Sequence, residues 1–256
     1  MKILLLNILE GCEEPERFQK LVSFINKEKA DVLCLLELNN WHKNEFKKLH
    51  NFKTLTQFSN HSFAYSNKGY HLGIFTKEQV IKQQRYNDNF NHGFLKCVVL
   101  YNEEEYTFFL THLTPHSYIK RKKEISTILQ QVKHERKTIL LGDLNALSPE
   151  DNYDKQQLHK MLREKNIEKF GIEKISTQTI QKILDNKFLD TIKSKKEINH
   201  TVPTSMNSDD NHCAKLRLDY IFVNKKLHNQ VENVEIIKNM ETNKLSDHFP
   251  IKLTLN

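Results

Sequence analysis

Apolar residues in this chain gather into runs of strand length, with segments of helical spacing between them. KILLLNIL (2–9) is almost wholly apolar, which predicts a strand covered on both faces. Pro15 suits the first turn of a helix, and Phe18, Leu21, Val22 and Ile25 follow at i, i+3, i+4 and i+7. DVLCLLEL (31–38) predicts a second buried strand that closes on Glu37. LGIFTK (72–77) reads as a further strand, and GFLKCVVLY with YTFFLTHL, separated by the acidic NEEE at 102–105, reads as a hairpin. Ile125, Ile128, Leu129 and Val132 define one helix face, and TILLGDLNA (138–146) is a strand. SPED (148–151) has the form of a helix start, with Ser148 as N-cap and Pro149 in the first turn. Shorter helical patterns surround Leu158–Leu162 and Ile180–Leu184. LRLDYIFVN, VENVEIIK and FPIKLTLN predict closing strands. Strands at both ends with helices between imply α/β layers, or an α+β fold of packed sheets.

No Gly/Ser linker, low-complexity block or internal repeat interrupts the 256 residues, so one domain over 1–256 is expected. At 38% hydrophobic and 28% charged residues the chain is polar yet apolar enough to fold. The excess of 39 basic over 32 acidic residues, a net charge of +7, tilts it toward an anionic partner. Cys12, Cys34, Cys97 and Cys213 stand far apart with no C-x-x-C pair. That spacing argues against a zinc ribbon or disulfide framework and for reduced thiols in a cytoplasmic protein. Asn7 interrupts the first apolar run and acids follow it, which is unlike a signal peptide. No run approaches the roughly 20 apolar residues of a membrane span. A monomer is expected.

The candidate chemistry lies where apolar runs end. Glu37 closes VLCLLEL, Asp143 closes TILLGD, Asp219 lies within LRLDYIFVN, and Asp247 and His248 precede the last strand. Any one of these acids could cap a turn. Strands packed side by side gather their ends along one rim, however, and at an effective dielectric near 20 two carboxylates ~4 Å apart repel by about 4 kcal/mol. A bound cation, a shared proton or a basic neighbour must then hold the cluster together. Carboxylate and amide oxygens suit Mg²⁺, with Mn²⁺ as the other candidate, better than zinc.

In chain order the blocks LLLNILEG, LCLLELNN, FFLTHLTP, LLGDLNA, LRLDYIFVN and LSDHFPI resemble the endonuclease/exonuclease/phosphatase superfamily, which holds DNase I, exonuclease III-type AP endonucleases, neutral sphingomyelinases, inositol polyphosphate 5-phosphatases and poly(A) deadenylases. The resemblance runs from residue 4 to 251. It implies a DNase I-like α+β sandwich, two packed mixed β-sheets flanked by helices, and metal-dependent phosphoester hydrolysis by in-line water attack. It also implies roles. Glu37 is the main metal ligand, with Asn7 a ligand or orienter beside it and Asp247 completing metal or water binding. Asp143 accepts the proton of the attacking water, and Asn145 holds that water or a phosphate oxygen. His248 donates toward the phosphoryl oxygen with its tautomer fixed by Asp219, and His112 contacts the same phosphate.

Substrate class is less sharply marked. LRLDYIF departs from the Trp-Cys-Asp-Arg pattern of the inositol phosphatases. Arg217 to Tyr220 match an Arg-x-Asp-Tyr sequence of AP endonucleases, which usually carry Tyr where His112 stands. A nuclease acting on DNA or RNA is the leading expectation, including a possible part in DNA repair. A phosphodiesterase or phosphatase for lipid head groups or small molecules, sphingomyelinase-like, is the alternative, and a non-catalytic binding module the third. WHKNEFKKLHNFK (41–53) could be a base-stacking cationic loop or a helix with Trp41 buried. YIKRKK (118–123) opens a helix. His116 reads as a loop residue, and 200–213 as a polar rim loop.

Overall fold

The structure, a computed structural model, describes residues 1–134, 136–192, 199–207 and 214–256. Cys213 and the second half of the 200–213 segment lie outside the described residues. The strands in chain order are β1 (Lys2–Asn7), β2 (Val32–Leu36), β3 (Asn60–Ala64), β4 (Leu72–Thr76), β5 (Gln79–Tyr86), β6 (Phe94–Tyr101), β7 (Glu104–His112), β8 (Lys137–Asp143), β9 (Phe188–Asp190), β10 (Asp219–Asn224), β11 (Val231–Ile236) and β12 (Ile251–Leu255). The helices are α1 (Pro15–Glu28), α2 (Lys43–Thr56), α3 (Tyr118–Leu129), α4 (Lys155–Glu164) and α5 (Gln178–Asp185). Two mixed six-stranded sheets result, ordered β11-β12-β1-β2-β4-β3 and β5-β6-β7-β8-β10-β9. This is the expected α+β sandwich.

The central strands are apolar throughout because both of their faces are covered. Ile3 and Leu5 of β1 pack into the layer between the sheets with Leu110, Ile139 and Leu141. Leu4 and Leu6 pack outward with Leu21 and Phe24 of α1 and Leu49 and Phe52 of α2. On the second sheet Leu140 and Phe109 point outward to Ile125 and Ile128 of α3 and Ile180 and Ile183 of α5.

The inner rows also place the polar residues, because a strand returns to the same face every second position. Following Ile3 and Leu5 leads to Asn7, Phe108 and Leu110 to His112, and Ile139 and Leu141 to Asp143, while Asp219 precedes Ile221 and Val223. Register brings three of these side by side. Asp143 is opposite His112 across the parallel β7–β8 pair and opposite Asp219 across the antiparallel β8–β10 pair. Gly142 permits that approach: at its φ of 144°, a Cβ would lie 1.8 Å from the Thr111 carbonyl oxygen.

Several local expectations are corrected. SPED does not open a helix. Among the described residues Ser148 accepts from the Glu150 amide alone, Asp151 is drawn inward to Arg217, and α4 starts at Lys155, where Asp154 caps the Gln156 and Gln157 amides. Asn44, Glu45 and Phe46 take left-handed backbone at the start of α2 and the helix continues from Lys47, while Trp41 is fully buried and the Lys48 ammonium turns inward to the Gly11 and Cys12 carbonyls, so the helix reading with Trp41 buried fits better than a base-stacking loop. Strands β3, β5 and β9 had no expectation. The polar β5 is an edge strand with only partly covered faces.

Arg217 and Tyr220 serve the scaffold. Arg217 is fully buried and donates to Asp151 at 3.0 and 2.8 Å and to Asp190 at 2.9 Å. Its guanidinium lies 4.4 Å from the Tyr220 ring centroid, and the Tyr220 hydroxyl, 2.9 Å from the carbonyls of both Ala146 and Arg217, bonds back to the chain. The Arg-x-Asp-Tyr likeness therefore carries no information about abasic sites. Removing the guanidinium leaves two buried carboxylates uncompensated, so Arg217→Met is expected to cost about 3–5 kcal/mol in urea unfolding. A loss under about 1 kcal/mol would show that the pairs do not tie β9, β10 and the 148–154 loop together.

Candidate active site

Glu37 follows β2 in left-handed backbone, φ 62°, which ends the strand's alternation. Its Oε1 accepts from Asn7 Nδ2 at 2.9 Å and its Oε2 from the Glu10 amide at 2.9 Å. Asn7 Oδ1 in turn accepts from the Leu9 amide at 3.1 Å, so Asn7 orients Glu37. The Glu10 amide is presented by a left-handed turn whose Gly11 has φ 80°, and a Cβ there would lie 2.2 Å from the Asn39 carbonyl oxygen. Burial, and then the neighbouring Asp247 carboxylate, raise the pKa of Glu37.

Asp143 is 2% exposed. Its Oδ2 lies 3.4 Å from His112 Nε2 and 3.8 Å from His248 Nε2, and its Oδ1 accepts from the Asn145 amide at 2.9 Å. Asn145, itself left-handed at φ 48°, anchors its side-chain amide on the Leu113 carbonyl at 3.2 Å. Burial, reinforced by Asp219, raises the Asp143 carboxyl to about 7. His248 Nδ1 donates to Asp219 Oδ2 at 2.6 Å, and the amides of Leu218 and Asp219 both donate to the Thr201 hydroxyl.

The two imidazoles are driven apart. Burial disfavours the charged form of His248, but Asp219, Asp247 and Asp143 outweigh it and push the pKa well above the usual range. Burial, with His92 and His248 adding to it, pushes the pKa of His112 well below the usual range. Its Nδ1 is buried and has no protein partner among the described residues.

A cleft of ≈ 640 Å³ opens over these groups, lined by Glu37, His112, Asp143, Asn145, Asp247 and His248. Asn7 and Asp219 stand behind it and reach it through Glu37 and His248. All eight expected residues therefore converge on one place.

Sequence reasoning missed the supporting layer. His92, 3% exposed, stacks on His112 with centroids 4.3 Å apart, and Tyr70 meets both rings edge-on at 5.0 and 6.3 Å. Burial, with His116 and Lys68 adding to it, lowers His92 to about 4. Beneath this wall, Glu124 of α3 accepts from the Asn91 amide at 3.0 Å, the Thr114 amide at 2.9 Å and the Thr114 hydroxyl at 2.6 Å. Arg121 donates to the Thr114 and Pro115 carbonyls at 2.8 and 3.0 Å and to the Lys169 carbonyl. One buried pair thus holds three segments of the cleft wall. A signal for it existed, because Arg121 shares the helix face of Ile125 and Ile128 at i+4 and i+7.

The donor set suits a divalent cation. Among the described residues neither Glu37 nor Asp247 forms an ion pair with Lys or Arg, and a hard cation on their oxygens would offset both the burial of Glu37 and the Asp247 repulsion that adds to it. Ligand atoms of Asp143, Asp219 and His248 also lie within 4.8 Å of one another, although two of them share the 2.6 Å hydrogen bond.

The sequence model of the endonuclease/exonuclease/phosphatase family matches residues 4–248. The chain belongs to this family. It is accordingly a hydrolase of phosphoester bonds. Solved structures share the fold over 100% of this chain and 99% of their own. They include a family protein from Leptotrichia buccalis (21% identity, TM-score 0.72), an AP endonuclease from Archaeoglobus fulgidus (15%, 0.74) and a 3′ phosphatase, NExo, from Neisseria bound to a product DNA hairpin (17%, 0.71). No curated protein sequence matches the chain. No helix among the described residues is long and apolar enough to cross a membrane.

The raised Asp143 carboxyl has a consequence for stability. It binds its proton more tightly folded than unfolded, so its contribution is complete below 3.8 and is lost as pH rises through about 7. In EDTA, unfolding free energy is expected to fall across that window, by up to about 1.4 kcal/mol per pH unit for this one proton. Asp143→Asn should flatten the slope in chemical denaturation at a series of pH values; an unchanged slope would assign the proton elsewhere.

Proposed function

We propose that the chain is a divalent-metal-dependent phosphodiesterase acting on nucleic acid, a nuclease that uses in-line water attack. The observation that carries this reading is the convergence of Glu37, Asn145 and Asp247 on a cleft where one buried carboxylate, Asp143, lies 3.4 and 3.8 Å from the imidazoles of His112 and His248. In its ionised form Asp143 takes the proton of the attacking water, which Asn145 helps to place. His248, charged and held by Asp219, donates to the phosphoryl oxygen as negative charge grows there. Neutral His112, steadied by His92, contacts the same phosphate group. Glu37, oriented by Asn7, and Asp247 would hold Mg²⁺ or Mn²⁺, and that ion when bound supplies charge neutralisation at the phosphate.

Nucleic acid is supported by the net charge of +7 and by Lys68, His116 and Lys169 in the cleft lining. Two fold relatives carry names that include AP endonuclease and a 3′ phosphatase with a DNA product. A second reading, a phosphatase or phosphodiesterase for small molecules or lipid head groups, is favoured by Glu10, a cleft-lining acid with no ion pair among the described residues that would oppose a polyanion, whereas Glu13 and Glu14 in the same lining pair with Lys48 and Arg17.

A substrate panel with Mg²⁺ or Mn²⁺ separates the two: abasic duplex, nicked duplex, single-stranded DNA, RNA, sphingomyelin and inositol phosphates. Cleavage of a polynucleotide, abolished by EDTA, is expected; turnover confined to small or lipid esters would replace the first reading with the second. Asp143→Asn should lower kcat by about 10²–10⁴. Asp219→Asn should lower kcat with little change in KM, since it disturbs the tautomer of His248 and leaves the cleft's lining intact. Full activity in either variant would remove that residue from the mechanism.

A further inference from the structure

The face of the second sheet turned away from the first carries another polar recess. Register aligns Lys82 of β5, Val98 of β6, Thr107 of β7 and Thr138 of β8 in one cross-strand row, with Gln84 and Lys96 paired in the adjacent row. Farther along the strands α3 and α5 cover Phe109, Leu140 and Phe222 on this face. The Lys82–Thr138 row instead lines a recess of ≈ 80 Å³, closed at the side by Gln131, Lys133 and Arg136 from the connection between α3 and β8. Thr138 precedes Asp143 by five positions on β8, roughly 17 Å along the strand, so the recess is separate from the catalytic cleft.

Its chemistry is one-sided. Lys96, Lys82, Lys133 and Arg136 converge on it, and no carboxylate lines it among the described residues. The Lys96 ammonium donates to the Gln131 carbonyl at 3.3 Å and lies 5.3 Å from the Phe109 ring centroid. Burial, then Lys82, Lys133 and Arg136, disfavour its charge. Arg136 has a carboxylate partner, the exposed Glu105 at 2.8 Å, outside the recess lining. Thr107 is 3% exposed, and its hydroxyl has no hydrogen-bond partner among the described residues.

A buried hydroxyl without a partner and a half-covered ammonium among like charges are both unfavourable, and one bound oxyanion would relieve both. The small volume and the mixture of ammonium, guanidinium, hydroxyl and amide donors suit a single tetrahedral group rather than a base or sugar. We propose that this recess binds one phosphate group, apart from the catalytic cleft and independent of which phosphoester the cleft hydrolyses. The group is either free inorganic phosphate or a phosphate carried on an oligonucleotide.

The test is ¹⁵N-resolved NMR of the full chain in EDTA, titrated with inorganic phosphate or with a 5′-phosphorylated trinucleotide against chloride at matched ionic strength. Saturable shifts of the Lys96, Thr107 and Thr138 amides are expected with phosphate. Saturation with the trinucleotide alone would identify a phosphate delivered on a polynucleotide. Thr107→Val should weaken binding about tenfold, the loss of one hydrogen bond to a charged group. Lys82→Gln with Lys133→Gln, both on exposed side chains, should weaken it at least as much while leaving the fold and hydrolysis intact. Shifts confined to cleft residues such as His112 and Asn145, or a response to chloride equal to that with phosphate, would overturn the proposal.

Discussion

Every feature of the cleft depends on delivering Asp143 as the last member of a buried row. A carboxylate brought out of water tends to protonate or move unless its surroundings supply compensating charge and bonds. Here the strand cannot move, because Ile139 and Leu141 are fixed in the layer between the sheets and Gly142 sits against β7. The compensation is therefore built around it: the Asn145 amide on one oxygen and two imidazoles facing the other. The same row logic places Asn7, His112 and Asp219. A sheet sandwich with doubly covered strands thus carries several polar groups to one rim at fixed spacing, which loops of the same length would hold less rigidly.

The strand rows were largely legible in the sequence, and for the same reason so were the residues at their ends. KILLLN, VLCLL, FLKCVVLY and TILLGD are apolar beyond what a half-exposed strand needs, and a carboxylate, amide or imidazole terminating such a run stands out. Strands whose faces are only partly covered left no such mark. QVIKQQRY forms β5 because a partner strand is available at the sheet edge, and nothing in its own pattern requires it. The SPED misreading has a different origin. Local capping chemistry favoured a helix there, but the fully buried Arg217 bound Asp151, and a tertiary ion pair outweighs a cap of about 1 kcal/mol.

The supporting layer was only faintly marked, for a third reason. Arg121 and Glu124 sit in YIKRKKE, a segment whose charge suggests a solvated face. Only the return of Ile125 and Ile128 on the same side shows that this face is buried. His92 has no periodic context, since its position is set by Gly93, whose φ of 89° turns the chain into β6. Such residues act through long-range contacts, and pattern along one chain reports neighbours at three, four or two positions, not partners thirty residues away.

The two histidines show what the layer accomplishes. His112 and His248 are equally buried and both face Asp143, so desolvation alone would leave both neutral. Asp219, bonded to the His248 ring, breaks that symmetry. The charged form is favoured on the side where β10 supplies a carboxylate, whereas burial governs the ring stacked on His92, whose Nδ1 has no partner among the described residues. His92 is anchored through Asn91 to Glu124, and Glu124 also holds the loop following His112, so the burial of the His112 ring depends on how α3 docks on the second sheet. Packing some distance from the cleft thus joins the acidic cluster in determining which of the two rings is the more basic.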